Sequence, residues 1–390
     1  MLLFDAHLDL AMNALEWNRD LTRPLAEIRA REAHLRDRPD RGHGTVCFPE
    51  LRRGGVRLVV ATQIARVEHH AYSPVPGWAS PAQAWAMTQA QRAWYQTQED
   101  SGELLCITSR DSLDTFLARL DNPAPVPSDD APHGSNPPAT PGSDTPSSNA
   151  APAPIGFILS LEGADSLIDL HHLERAWNYG LRVVGPAHYG PGRYANGTGT
   201  TEGFPPGGRE LLREMDRLGC ILDVTHLSDA CFRQALDLFQ GPVWASHHNC
   251  RALVPHQRQL DDAMIRELVR RDAVIGIALD AWMLVPGWER SKSTPQTAGL
   301  TLQHALDHLD HICQIAGNAR HVGIGSDLDG AFGTEQTPQE VGSVADLPRL
   351  LDGLAARGYT PDDIQGVAHA NFIRFLRNAW PTPAAPAQER

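Results

Sequence analysis

The chain has 390 residues and a formal net charge of −13 at pH 7, and 42% of its residues are apolar and 21% charged. That length and balance fit a globular protein with one large α/β domain or two medium ones. The acidic charge argues against nucleic acids and anionic membranes as partners, because both require a basic protein surface.

The sequence carries no recognisable targeting segment. No apolar stretch approaches the roughly 20 residues of a membrane helix, and the N-terminus lacks the pattern of a secretory signal peptide. The six cysteines are scattered without a C-x-x-C pair, which is typical of free thiols in a reducing compartment. The sequence therefore predicts a cytoplasmic protein that does not bind membranes.

Short apolar runs recur along the chain and predict eight strands: Leu2–Asp5, Arg57–Ile64, Ile155–Leu161, Leu181–Pro186, Cys220–Thr225, Val243–Ser246, Ala273–Leu279 and His321–Gly325. Near-continuous apolar runs are typical of buried parallel strands. Segments with helical spacing lie between most of them, at residues 81–98, 207–219, 228–239 and 301–317. A last helix is predicted to begin after Thr360, with Pro361 in its first turn. Strands that alternate with helices in this way predict an α/β fold, a (β/α)8 TIM-type barrel.

Residues 121–154 differ from the rest of the chain in composition. Ten of these 34 residues are proline and none is aromatic, so the segment cannot bury a core and is typical of flexible chain. A linker between two domains is one interpretation. Because a barrel needs the predicted strands on both sides, we expect instead an insertion within a single barrel domain of residues 1–380, followed by a polar tail at 381–390.

Seven of the eight predicted strands are followed by histidine, aspartate or glutamate: His7 and Asp9, Glu162, His188, His226, His247 and His248, Asp280, and Asp327. The C-terminal ends of barrel strands meet at one mouth. One such residue is typical of a turn or cap, but unpaired carboxylates and imidazoles are costly to desolvate together. A divalent cation such as zinc, which these side chains bind, removes that cost.

His7 and Asp9 lie two positions apart, so on a strand they point to the same face and can bind one ion.

Five segments, taken together, resemble a known family: FDAHLDL, SLEGAD, LGCILDVTHLSD, ASHHNCRAL and VGIGSDLDG. Their order and approximate spacing are similar to those of the renal or membrane dipeptidases, peptidase family M19 of the amidohydrolase-like metal-dependent hydrolases. The resemblance covers nearly the whole chain outside residues 121–154. It implies a dipeptidase, a binuclear metal site with two divalent ions, expected to be zinc, and a homodimer.

The resemblance also implies residue roles. It implies metal binding by His7 and Asp9 at one ion, by His226 and His247 at the other, and by Glu162 as a bridge between them. It further implies that Asp327 moves the proton, that His188 faces the carbonyl oxygen of the scissile bond, and that Arg258 holds the substrate.

Two residues depart from the family pattern. His248 stands where relatives more often have serine, and Asp280 stands where they often carry an aromatic residue that touches the substrate. The preference for substrate side chains, and for L,D over L,L dipeptides, therefore stays open.

Two alternatives also stay open. The same site could hydrolyse another amide, an ester or a lactone, because the metals and Asp327 would serve each reaction. The barrel could also be a metal-stabilised, non-catalytic scaffold whose proline-rich insertion recruits partners, although a complete ligand set favours an enzyme.

His304, His308 and His311 lie on one helix, and we interpret them as a solvated flank of its apolar stripe and not as a metal site.

Overall fold

The computed structural model describes residues 2–68, 77–121 and 152–380. Nine strands lie in those ranges: β1 Leu3–Leu8, β2 Val56–Ile64, β3 Leu104–Cys106, β4 Ile155–Glu162, β5 Leu181–Gly185, β6 Ile221–Asp223, β7 Val243–Trp244, β8 Ile275–Ile277 and β9 Val322–Ile324. All pairs are parallel, in the order β7-β6-β5-β4-β2-β1-β9-β8, with β3 beside β4. A bridge between Ala245 and Ile275 joins the two ends. Eight strands thus form the barrel, and the predicted fold class is confirmed.

The described residues form fourteen α-helices: α1 Leu10–Leu15, α2 Leu25–Glu32, α3 Phe48–Arg53, α4 Pro81–Asp100, α5 Arg110–Asp121, α6 Leu170–Asn178, α7 Pro206–Leu218, α8 Asp229–Leu238, α9 Asp262–Arg270, α10 Ala281–Leu284, α11 Leu302–Ala316, α12 Pro348–Ala356, α13 Pro361–Gln365 and α14 Asn371–Ala379. A π-helical turn, Gly366–Ala370, joins the last two. Helix starts follow local chemistry, since Ser80 and Ser228 accept hydrogen bonds from first-turn N–H groups. Thr360 and Asp363 form a capping box at the predicted start of the last helical segment.

The strands divide their side chains between two layers because successive residues point to opposite faces. One set, which includes Phe4, Leu58 and Trp244, packs against Phe372 of α14. The other set packs against the surrounding helices. Helix α14 lies so close to β9 that a side chain at Gly323 would overlap the Phe372 ring. The core is therefore complete near the N-terminal ends of the strands and leaves the opposite end for polar residues.

The structure corrects several details of the sequence-based prediction. Strand β3 was not predicted, because its three residues between two helices are too few to form a recognisable hydrophobic pattern in the sequence. Strand β1 runs to Leu8, so His7 lies inside it and not after it. His308 is buried, and its Nδ1 accepts a hydrogen bond from the Cys250 N–H at 3.0 Å. The interpretation of this histidine as part of a solvated flank was therefore wrong.

Other expectations fall wholly or partly outside the described residues. The predicted insertion at 121–154 is described only at residue 121 and at 152–154, and the tail at 381–390 is not described. A single domain over residues 1–380 thus stays a prediction. All six cysteines are free, as predicted. Within the described ranges, no helix combines the length and the apolar character that crossing a membrane requires.

Candidate metal centre

The polar residues at the strand ends come together at one mouth of the barrel. His7 lies in β1 and Glu162 is the last residue of β4. Asp9, His188, His226, His247 and Asp327 follow β1, β5, β6, β7 and β9 in turn. One cavity is lined by Asp9, Glu162, His188, His226, His247, Arg258 and Asp327. His7 lies beside it, because its Nε2 is within 4 Å of three of the cavity carboxylates. The structure thus gathers all eight residues singled out for the site in the sequence.

Glu162 stands between two groups of imidazoles. Its Oε2 lies 3.6 Å from His7 Nε2. Its Oε1 lies 3.3 Å from His226 Nε2 and 3.6 Å from His247 Nε2. The two oxygens of one carboxylate therefore face two separate sets of nitrogen atoms, which is the arrangement a bridging ligand needs.

Three imidazole nitrogens converge at the centre, and His7 Nε2 in particular is placed for a ligand that is neither a side chain nor a backbone group. His7 Nε2 is buried and has no hydrogen-bond partner among the described residues. It lies 3.8 Å from Asp9 Oδ1 and 3.7 Å from Asp327 Oδ1. The Nε2 atoms of His226 and His247 are 3.3 Å apart. Buried nitrogens that converge on carboxylates without direct contact fit metal ligands.

Hydroxyl groups orient the imidazoles of His226 and His247 by contacting their Nδ1 atoms. Thr198 Oγ1 lies 2.9 Å from His226 Nδ1, and Ser246 Oγ lies 2.9 Å from His247 Nδ1. When each Nδ1–H donates to its hydroxyl oxygen, the Nε2 lone pair is left for a metal ion. Thr198 could not be identified as a partner from the sequence, because it is 28 residues from the histidine it contacts.

Three groups of residues place their ligand atoms within 4.8 Å of one another: His7, Glu162 and His247; Glu162, His188 and His226; and His7, Asp9 and Asp327. All five ligands implied by the resemblance occur in these groups. The groups also include His188 and Asp327, to which the resemblance gives substrate roles. Both side chains therefore lie close enough to the centre to act on a molecule bound there.

His188 has a defined tautomer. Arg66 Nη1 lies 3.2 Å from His188 Nδ1, and a guanidinium can only donate hydrogen bonds. His188 Nδ1 must therefore accept, and the ring proton lies on Nε2. Arg66 lines the same cavity but was missed in the sequence, where the only signal was its position two residues after a predicted strand.

Two further carboxylates support the centre from outside the cavity. Asp5 accepts hydrogen bonds from the His7 N–H at 3.2 Å and from the N–H and hydroxyl of Ser326, which ties β1 to the segment after β9. Asp223 accepts from the N–H groups of Thr225 at 3.1 Å and Ser246 at 3.0 Å, which ties β6 to β7. Each pair of linked strand ends carries residues of the centre.

The backbone at the mouth adopts conformations that few residues tolerate. His226 has φ 69°, Asp327 has φ 59° and Asp329 has φ 61°, all in the left-handed region that favours glycine. Asp329 accepts hydrogen bonds from the Thr45 N–H at 2.6 Å and the Val46 N–H at 3.0 Å, which hold the loop after β9 in place. Strain of this kind is concentrated at functional sites.

Burial determines the charge of the centre. Desolvation raises the pKa of Asp9 to about 6 and lowers that of His7 to about 3. Desolvation, followed by the nearby Asp9 carboxylate, raises the pKa values of Glu162 and Asp327 well above the usual range. The buried environment thus disfavours ionised carboxylates, and divalent cations reverse that preference. The residues present fit a metal centre.

Arg258 and Asp280 occupy the same cavity with different partners. Arg258 Nη2 donates to the His247 carbonyl at 2.9 Å, while its Nε and Nη1 are buried without a partner among the described residues. Asp280 accepts from Gln336 Nε2 at 2.6 Å and from Trp282 Nε1 at 2.7 Å.

His248 is buried but is absent from the cavity lining, so of the two departures from the family pattern only Asp280 can meet a bound molecule. Tyr189, Trp282 and Arg290 complete the wall and were missed in the sequence.

A (β/α)8 barrel with imidazoles and carboxylates converging at its C-terminal mouth has the architecture of metal-dependent hydrolase barrels. The model of the membrane dipeptidase family, peptidase family M19, matches residues 139–387. Because that match covers more than half of the chain, the chain belongs to this family.

Known relatives agree with this assignment. The chain is 31% identical over 231 residues to dipeptidase tcpJ of Claviceps purpurea, a match that covers 57% of this chain and 51% of the relative. It is 28% identical over 231 residues to dipeptidase aclJ of Aspergillus oryzae, covering 58% and 52%. The chain thus matches about half the length of these curated relatives.

Solved structures show the same fold. A metallopeptidase from Rhodobacter sphaeroides, crystallised with a phosphinate mimic of the dipeptide L-Ala-D-Ala, has a TM-score of 0.72 at 22% identity and covers 97% of this chain and 99% of its own. The probable dipeptidase PvdM from Pseudomonas aeruginosa has a TM-score of 0.70 at 18% identity and covers 97% and 96%.

Proposed function

We propose that this protein is a metal-dependent dipeptidase that hydrolyses the peptide bond of dipeptides at the mouth of the barrel. Membership in the family and the dipeptidase names of the curated relatives support the reaction. The observation that carries the proposal is the position of Glu162, whose two oxygens face His7 on one side and His226 and His247 on the other.

In the proposed centre His7 and Asp9 would hold one divalent ion, His226 and His247 would hold a second, and Glu162 would be a ligand to both. The ions are expected to be zinc and would supply Lewis acidity and a water molecule of lowered pKa. The hydroxyl groups of Thr62, Thr198 and Ser246 orient the ligands, since each contacts a ligand side chain.

Asp327 is the proposed proton carrier. Burial and the neighbouring carboxylates raise its pKa, so that it can accept a proton from the attacking water and release it to the leaving amine. Its side chain reaches the centre, with Oδ1 3.7 Å from His7 Nε2. The left-handed backbone at this residue fixes the direction of that carboxylate.

His188 and Arg258 are proposed to act on the substrate directly. The Nε2–H of His188, kept in that tautomer by Arg66, donates to the carbonyl oxygen as negative charge develops there. Arg258 has a planar fork with two unpaired nitrogens, which suits the terminal carboxylate of a dipeptide. Because Arg258 would bind this carboxylate at a fixed distance from the scissile bond, substrates would be limited to two residues.

The proposal includes dipeptides with a D-configured C-terminal residue. The Rhodobacter sphaeroides structure of the same fold holds a mimic of such a dipeptide. A homodimer and a cytoplasmic location stay predictions from the sequence.

The test is hydrolysis of a panel of L,L and L,D dipeptides by purified protein, with its metal content measured. We expect cleavage that EDTA abolishes and zinc restores, and no cleavage of the same dipeptides when their C-terminal carboxylate is amidated. No cleavage by protein that holds two ions per chain would refute the dipeptidase proposal in favour of another amide, ester or lactone. Protein that neither cleaves dipeptides nor binds metal would refute the metal centre itself, including the roles of His7 and Asp9.

A further inference from the structure

A second cavity lies at the opposite end of the barrel from the metal centre. Its volume is about 840 Å³, which is within the range of small-molecule sites. Residues at the start of β1 and β2 and on α14 line it, and five of them are arginines: Arg52, Arg53, Arg57, Arg374 and Arg377. Asp121 is the only acidic residue of this lining among the described residues. In a chain of net charge −13, this concentration of arginine requires an explanation.

Four of the five arginines have a carboxylate partner. The pairs are Arg52 with Glu103, Arg53 with Glu50, Arg374 with Asp272 and Arg377 with Asp114. Arg57 has no carboxylate partner within the described ranges, and its Nη1 is buried without a hydrogen bond. Burial and the neighbouring Arg52 guanidinium lower the pKa of Arg57. An anion bound beside Arg57 would give the buried nitrogen a hydrogen-bond partner and would stabilise the charged guanidinium.

Other polar atoms of the same lining also lack partners. Arg374 Nε and His369 Nδ1 are buried without a hydrogen bond in the part of the chain that the structure describes. These nitrogens leave hydrogen-bonding capacity around one cavity, which a bound molecule would satisfy. Since arginine nitrogens only donate, that molecule must offer acceptor oxygens.

The rest of the lining is apolar. Leu2, Leu117, Leu120 and Ile373 line the same space. A free inorganic anion would leave this apolar surface exposed to water, whereas a ligand with an organic body would cover it. The cavity therefore has the two features that a small molecule with an anionic head and an apolar body requires.

We propose that this cavity binds a small organic phosphate. Its phosphoryl oxygens accept hydrogen bonds from Arg57 and from the free nitrogen of Arg374, because the guanidinium fork matches phosphate geometry. Its organic body lies against Leu117, Leu120 and Ile373. The site is separate from the metal centre, since none of its residues lines the catalytic cavity.

The test is calorimetric titration of the zinc-loaded full chain with adenosine 5′-monophosphate, pyrophosphate and adenosine. We expect one adenosine monophosphate per chain, weaker binding of pyrophosphate and no measurable binding of adenosine. Arg57→Gln should weaken adenosine monophosphate binding by at least about tenfold, and Arg57→Lys by less, because lysine keeps the charge but loses the fork. Ile373→Ala should weaken adenosine monophosphate binding and leave pyrophosphate binding unchanged.

The matched control is Arg266→Gln, which removes an exposed arginine of α9 that lines neither cavity. It should bind like the wild type, and dipeptide hydrolysis should be the same in all four variants, which shows that they are folded. Equal affinity of Arg57→Gln and wild type would place the phosphate elsewhere, for example at the metal ions, and would overturn the proposal. Absence of binding by all three compounds, or equal affinity for pyrophosphate and adenosine monophosphate, would also overturn it.

Discussion

Asp327 combines three features at one residue: a left-handed backbone, a buried carboxyl group and a position beside His7. A carboxyl group that transfers protons needs its ionisable oxygen but need not bind metal. Asp327→Asn keeps the shape and removes the proton transfer. We therefore expect kcat to fall by roughly 10² to 10⁴, while zinc content by elemental analysis stays at the wild-type value.

The control for this variant is Asp114→Asn, which changes a half-exposed carboxylate in an ion pair with Arg377. It should have wild-type kcat. Full activity of Asp327→Asn would remove this residue from the proposed reaction, and loss of zinc would show that it is a ligand instead.

Arg66 is a positioning residue for the same chemistry, because it acts through His188. Arg66→Met removes the donor that keeps the ring proton on Nε2. We expect the ¹⁵N shifts of His188 to report a changed tautomer population. We also expect kcat to fall by roughly 10- to 100-fold with little change in KM, since one hydrogen bond to the developing oxyanion is weakened.

Arg290→Met serves as the comparison, because Arg290 lines the same cavity but donates to the Ala331 carbonyl and not to His188. Its His188 spectrum should match the wild type. An unchanged tautomer in Arg66→Met would contradict the role given to Arg66.

At the scale of elements, the strand ends are tied together in pairs. Asp5 joins β1 to the segment after β9 through two hydrogen bonds from Ser326, and it accepts a third from the His7 N–H within β1. Asp5→Ala leaves those donors unsatisfied in the barrel wall, so we expect the free energy of unfolding to fall by about 2–4 kcal/mol. Urea denaturation of the zinc-loaded protein measures this change.

Asp20→Ala is the surface comparison, because Asp20 is exposed and its side chain contacts its chain neighbours Thr22 and Arg23. We expect a change below about 0.5 kcal/mol in that variant. If Asp5→Ala were as stable as Asp20→Ala, the link between β1 and the last strand would not matter for stability.

At the scale of the whole molecule, the buried acids make stability depend on pH and metal. Burial raises the pKa of Asp280 from 3.8 to about 6 and that of Asp9 likewise. Without metal, each of these two carboxyl groups holds more protons in the folded state than in the unfolded chain between about pH 4 and 6. Their contribution to the free energy of unfolding should therefore fall as pH rises through this window, whereas the buried His7, whose pKa is lowered to about 3, contributes in the opposite direction.

Metal ions bind ionised carboxylates and neutral imidazoles, so metal should stabilise the folded protein more at higher pH, where protons compete less for these ligands. We expect EDTA to lower Tm more at about pH 7.5 than at about pH 5, and zinc to restore it. Scanning calorimetry at both pH values measures the difference. The same Tm loss at both pH values would contradict this account.

The sequence by itself determined the order of the barrel strands, the helix start at Thr360, and eight of the polar residues at the mouth. These features are local: apolar runs mark buried strands, caps lie beside their helices, and the ends of parallel strands must meet. The same reasoning could not detect β3, nor the extension of β1 through His7, because neither leaves a sufficiently long apolar pattern.

Only the tertiary structure decided the contacts across the barrel. Arg66 contacts His188 over 122 residues, and Asp5 contacts Ser326 over 321 residues. The burial of His308 depends on a backbone N–H 58 residues away, and the cavity around Arg57 depends on the approach of α14 to β2. Periodicity and spacing describe neighbours along the chain, whereas tautomers, orienting partners and cavities arise from segments that meet only when the barrel closes.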